Sequence, residues 1–110
     1  MGQIVPELAP QEDEIVVKKT TDSALTGSPL RLWLHNMGID TVVVTGVLTD
    51  QCVSGTVRSL ADESFKVWLI EDACMASTQQ IQDNELEILN NIYCHVITTD
   101  EAIEALEKAK

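Results

Sequence analysis

What this sequence has little of narrows it first. No apolar run approaches the roughly 18 residues needed to cross a bilayer, and no secretory pattern of basic, apolar and small residues opens the chain, so a soluble, cytoplasmic protein is expected. Basic residues are scarce: 7 Lys and Arg stand against 18 Asp and Glu, for a formal charge of −11. A surface of that sign repels polyanions, and nucleic acid is not an expected partner. Cysteine is limited to Cys52, Cys74 and Cys94, an odd set without a CxxC pair, which fits reduced thiols better than a disulfide framework. His35 and His95 have no ligand spacing around them, so no metal is expected. The five glycines form no phosphate loop, and no cofactor is expected either.

What is present reads as one folding unit. The 110 residues, 45% of them hydrophobic and 23% charged, suit a single globular domain. Residues 1–13, with Pro6, Pro10 and several acids, read as an extended lead-in, and EIVVK (14–18) as a short strand. Ser28 and Pro29 offer a hydroxyl cap and a proline at the first helical position. Leu30, Trp33, Leu34 and Met37 then recur at helical spacing until Gly38 stops the helix. TVVVTG (41–46) is an unbroken β-branched run of the kind buried on both faces of a parallel sheet. A helix is expected from about Thr49 to Ser64, with Val53, Val57, Leu60 and Ala61 on its apolar side. The strand KVWLIED (66–72), the helix DNELEILNN (83–91), the strand CHVITT (94–99) and a last helix capped by Thr99 complete the pattern. Trp33 and Trp68 read as core aromatics. The alternation is βαβαβαβα, which implies an α/β fold of three layers, α/β/α, around a mainly parallel sheet.

Such sheets carry their sites where strands end and helices begin. The segment GVLTDQC (46–52) occupies one of those places, with Cys52 in the first turn of its expected helix. Converging backbone N–H groups there lower a thiol's pKa and can hold an oxyanion, which suits attack on a carbonyl carbon. The competing reading is a free cysteine packed as a small hydrophobe. Cys74 and Cys94 read as core. Lys18 or Lys19, at the end of EIVVKK, could favour the thiolate and handle a leaving group, or could simply be solvated.

Together the segments TGVLTDQCVSGTVRSLAD, KTTDSALTGSPL, VWLIEDACMAS and VITTDEAIEAL resemble the isochorismatase-like cysteine hydrolases, which include nicotinamidases, N-carbamoylsarcosine amidohydrolases and the biuret- and ureidoacrylate-type amidohydrolases. The resemblance runs from about Glu14 to Leu106. It implies Cys52 as nucleophile and Lys19, four positions before Ser23, as catalytic lysine. It also implies a cis peptide at Val47-Leu48 and an oxyanion hole built from the backbone N–H groups of Leu48 and Cys52. Gln51 resembles the DQC variant of the ureidoacrylate-like branch, in which its carboxamide would bind substrate; the alternative is a solvent-exposed helix residue.

One departure from that pattern shapes the expectation. Members of the family open with a strand ending in a catalytic aspartate, and nothing before EIVVKK resembles it. Asp13 precedes an apolar run, while Asp22 and Asp50 fall in loops. Residues 14–110 thus resemble the C-terminal part of such a domain, with TVVVT left at a sheet edge that either an unseen N-terminal segment or an oligomer is expected to cover. Two functions follow as expectations. One is a cysteine-dependent hydrolase of a C–N bond in a small amide or ureide, acting through an acyl thioester; the other is a catalytically silent homo-oligomeric assembly or binding module.

Overall fold

The structure is a computed structural model that describes residues 3–109. Met1, Gly2 and Lys110, the outer limits of the expected lead-in and domain, lie outside the described residues. Three strands make one parallel sheet in the order β1 (Thr41–Val47), β2 (Lys66–Met75), β3 (His95–Ile97). The helices are α1 (Leu30–Asn36) before the sheet, α2 (Ser54–Asp62) and α3 (Gln79–Leu89) in the two crossovers, and α4 (Thr99–Lys108) at the end. The α/β class read from the alternating pattern is the observed one. No helix among the described residues is long and apolar enough to cross a membrane.

Burial follows the apolar periodicity. Val53, Val57 and Leu60 from the helical segment after β1 meet Val67 and Leu69 of β2, with Leu34, Phe65 and Leu89 closing the same core. Val57, Leu69 and Leu89 are wholly buried, each worth about 1.5–3 kcal/mol of transfer free energy. Gln82 is the polar member of this interior. Its Oε1 accepts from Ala76 N at 2.9 Å, and its Nε2 donates to Cys74 O at 3.1 Å and Glu71 O at 3.2 Å, so one side chain of α3 secures the end of β2.

Several elements differ from their expected form. EIVVK is not a strand: Ile15 and Val16 are 52% and 56% exposed, and β propensity alone makes no ladder where no neighbouring strand pairs. The lead-in contains a 3-10 turn at Pro6–Leu8 rather than being extended throughout. TVVVTG is not buried on both faces, because β1 is the edge strand and pairs with β2 alone among the described residues; Val43 is 38% exposed. The expected helix from Thr49 opens with a π-helical turn, Thr49–Val53, before α2 proper. The third helix begins at Gln79 rather than residue 83, since Thr78 Oγ1 accepts from Ile81 N at 3.1 Å and caps it there. Thr98, not Thr99, caps α4, in a capping box with Glu101, while Thr99 donates to Asp72. Trp33 and Trp68 are half-buried and flank the core rather than fill it.

Helix ends are closed by local chemistry. Gly38, at φ +70, ends α1 as expected, with Ile39 N donating to Leu34 O at 3.0 Å and Gly38 N to His35 O at 3.1 Å. Ser64, at φ 71, performs the same closure for α2: Phe65 N donates to Leu60 O at 3.0 Å and Ser64 N to Ala61 O at 3.0 Å.

Candidate active site

The carboxyl end of β1 turns directly into the helix that carries Cys52. Between the pairs Val44–Leu69 and Gly46–Cys74 the register of β1 and β2 slips, with the extra residues on β2, and pairing resumes at Gly46–Cys74 and Val47–Met75. The Val47-Leu48 peptide is cis, and the chain then enters the π-helical turn, with Leu48 O accepting from Gln51 N at 3.0 Å and from Val53 N at 3.1 Å. Cys52 emerges from this turn half-buried, whereas Cys74 and Cys94 are buried. Desolvation, aided by Cys74, pushes the Cys94 thiol up to about 11, which makes it the least reactive kind of thiol near neutrality.

A pocket of about 210 Å³ opens beside Cys52, walled by Lys19, Ala24, Val44, Gly46, Val47 and Thr56 among others. The thiol and the lysine singled out from sequence thus share one cavity at the sheet end where α/β folds place ligands. Lys19 is held by its own loop, its Nζ donating to Thr21 O at 2.8 Å. Lys18 is not part of that wall. Gln51 is exposed and likewise does not line the pocket. Leu48 is half-buried at the start of the turn. A roomier hollow, about 380 Å³, lies at the opposite end of the sheet along Lys66, Trp68 and His95, where parallel sheets do not present helix N-termini.

The loop between Lys19 and Leu30 docks onto the face of the helical segment that carries Cys52. Ser23 Oγ donates to Ser59 Oγ at 2.8 Å, and Ala24 N donates to Thr56 Oγ1 at 3.0 Å. Residues 52, 56 and 59 fall at helical spacing on one side, which is why a single loop reaches all three. Gly55 lies under the same loop: a Cβ there would stand 3.4 Å from Asp22 Cβ and 3.5 Å from Ser23 N, at ordinary contact distance. The same docking carries Asp22 to Cys52, with Sγ 3.5 Å from Asp22 Oδ1. Sequence reading left Asp22 as a loop residue, and the only available signal was the Gly-Thr-x-x-Ser spacing after the cysteine.

Comparison with known proteins agrees with this architecture. The Isochorismatase domain family model matches residues 1–101. The chain is 29% identical over 106 residues to the N-carbamoylsarcosine amidase of Arthrobacter sp, covering 96% of this chain and 40% of that protein. It is 43% identical over 71 residues to the ureidoacrylate amidohydrolase RutB of Klebsiella pneumoniae, covering 64% of this chain and 30% of that one. Among solved structures, a cysteine hydrolase from Pseudomonas syringae pv. phaseolicola superimposes with a TM-score of 0.94 at 28% identity, over 98% of this chain and 56% of the other. Against three further curated relatives the chain spans between 53% and 60% of their length, about half of a typical member. With a matching domain model over residues 1–101 and a close superposition on its structural neighbours, the chain belongs to the isochorismatase-like superfamily.

Proposed function

We propose that this chain carries the nucleophile-bearing part of a cysteine-dependent amidohydrolase that cleaves a C–N bond in a small amide or ureide. The observation that carries the reading is the pocket beside β1, in which Cys52 and Lys19 face one cavity of about 210 Å³. Cys52 is the half-exposed thiol, and it stands at the start of a continuous helical segment running from Thr49 to Asp62. The first N–H groups of that segment are suited to a developing oxyanion. In this reading Sγ attacks the carbonyl carbon, the backbone N–H groups of Leu48 and Cys52 stabilise the oxygen, and Lys19 assists proton transfer to the departing nitrogen. Water then releases the acyl group from the thioester. The names of two relatives, an N-carbamoyl amidase and a ureidoacrylate amidohydrolase, point to carbamoylated amines and ureido acids as the substrate class to try first.

The test is turnover of a panel of N-carbamoyl amino acids, ureido acids and simple carboxamides, followed by intact-mass analysis of the quenched enzyme. Release of ammonia or amine, a mass increment on the peptide containing Cys52, and loss of both in Cys52→Ala are the expected results. Undiminished turnover by Cys52→Ala would refute the reading.

A second reading is favoured by the edge position of β1, whose Val47 is 65% exposed. Here the chain is a catalytically silent module that assembles with further copies through this edge. It predicts a multimer by size-exclusion chromatography together with no turnover of any panel member.

A further inference from the structure

At the amino ends of β2 and β3, the end of the sheet opposite Cys52, lies the hollow of about 380 Å³, and its walls carry chemistry that the proposed reaction does not use. We propose that it binds a small planar organic anion, an aryl carboxylate in class, with Lys66 and His95 on the carboxylate and Trp68 and Tyr93 along the ring. The strand pattern puts these groups together. Val67 and Leu69 turn inward, at 2% and 0% exposure, so Lys66 and Trp68 share the other face of β2. Trp68 is paired in register with His95 of β3, which sets the imidazole beside the indole on that face. The facing wall is the turn after α3. Asn91, at φ 69, donates its N–H to Cys94 O at 2.8 Å, and Tyr93 N donates to Leu89 O at 3.0 Å, which holds Ile92 and Tyr93 beside the strand ends. The Arg58 guanidinium lies 4.6 Å from the centre of the Tyr93 ring and steadies it.

Charge decides the class of ligand. Acidic residues outnumber basic ones 18 to 7 in this chain, yet no carboxylate stands among the walls of this hollow. The ion pairs among the described residues engage Arg31, Arg58 and Lys108, whereas the side chains of Lys66 and His95 make no hydrogen bond or ion pair there. Asp40 meets Lys66 through the backbone, its O accepting from Lys66 N at 2.9 Å, while its carboxylate accepts from Thr41 Oγ1 at 3.0 Å. Cys94 is buried and its thiol is pushed up to about 11, so it adds no negative charge near neutrality. An ammonium offers charge and three donors, and an imidazole keeps at least one N–H in either protonation state. Trp68 and Tyr93 are half-buried and Ile92 is 74% exposed, apolar area that a ring would cover and a bare phosphate would not. The hollow has the size of a site for a small organic molecule. No helix N-terminus faces this end of a parallel sheet, so side chains alone supply the recognition.

The test follows Trp68 fluorescence in full-length Trp33→Phe while sodium benzoate is added at low ionic strength. Calorimetry on the unsubstituted chain supplies the same Kd should Trp33→Phe fold poorly. A saturable quench is expected, with equal affinity in Cys52→Ala, because the Cys52 pocket lies at the other end of the sheet. Lys66→Met and His95→Ala should each raise Kd at least about threefold, the scale of one part-exposed ion pair, with far-UV spectra unchanged. Benzyl alcohol, which keeps the ring and lacks the charge, should bind more weakly by a similar factor, and inorganic phosphate at equal concentration should not displace benzoate. Absence of saturation, wild-type affinity in either variant, equal binding of the alcohol, or displacement by phosphate overturns the proposal. Loss of binding in Cys52→Ala overturns it as well, since the benzoate would then occupy the Cys52 pocket. Amide turnover enters none of these measurements, so this site is tested independently of the proposed function.

Discussion

Three thiols in this molecule sit in three environments, and their chemistry should differ accordingly. Cys52 is reachable and lies at the start of a helical segment, whereas burial holds the Cys94 thiol near 11. At pH 7.5 iodoacetamide should therefore modify Cys52 at least tenfold faster than either other cysteine, as counted by peptide mapping. Cys94 also makes a prediction about stability. Its thiol ionises near 9.0 when unfolded and about 11 when folded, so between those values the unfolded chain binds fewer protons than the native one. The contribution is fully present below pH 9 and is lost as pH rises toward 11, by on the order of 2 kcal/mol. Denaturant titrations at pH 8 and pH 10.5 should show this slope in wild type and a shallower one in Cys94→Ala. At this scale part was legible: Cys52 stands out at a strand-to-helix turn, Lys19 was separated from Lys18 only by the resemblance, and the two do share a pocket. The contact of Asp22 with Cys52 was not, because it depends on which helix the loop rests against, and hydrogen bonds spanning more than 30 positions leave no local periodicity to read.

Elements show why some boundaries were readable and others were not. Gly38 announces the end of α1 because glycine adopts the left-handed conformation freely, and the structure uses it that way. Ser64 holds the same conformation without advertising it, so α2 ends where no sequence signal stands. Ser64→Gly should raise stability by about 0.5–1 kcal/mol, measured as a shift of the urea midpoint with no change in slope, since both closing hydrogen bonds are made by backbone groups that remain. The early start of α3 has a similar cause: Thr78 caps it, while Gln79, Gln80 and Gln82 lack the apolar rhythm on which a helix is recognised. EIVVK illustrates the reverse error. Its residues suit a strand, yet a strand exists only in a ladder, and propensity does not report whether a neighbour is there.

At the scale of the whole molecule, the α/β class and the parallel order of the strands were readable from the alternation of apolar runs, because crossover helices impose it. Edge position is a different kind of fact. Composition alone makes TVVVT a central strand, whereas the resemblance, which supplies no neighbour for it within this sequence, puts it at the margin where it is found. If that margin joins further copies of the chain, Val43→Lys should shift the protein toward monomer in multi-angle light scattering, with the far-UV spectrum unchanged. An unaltered mass would show that assembly, if present, uses another surface.

The docking of the Lys19–Leu30 loop on α2 has one more implication, and it concerns time rather than shape. Because the ties at Ser23 and Ala24 reach into the very helix that follows the nucleophile, loop and helix cannot loosen independently. Their amide protons should exchange with deuterium as one cooperative block, and a small molecule lodged against Cys52 should slow that entire block while leaving α4 exchanging as before.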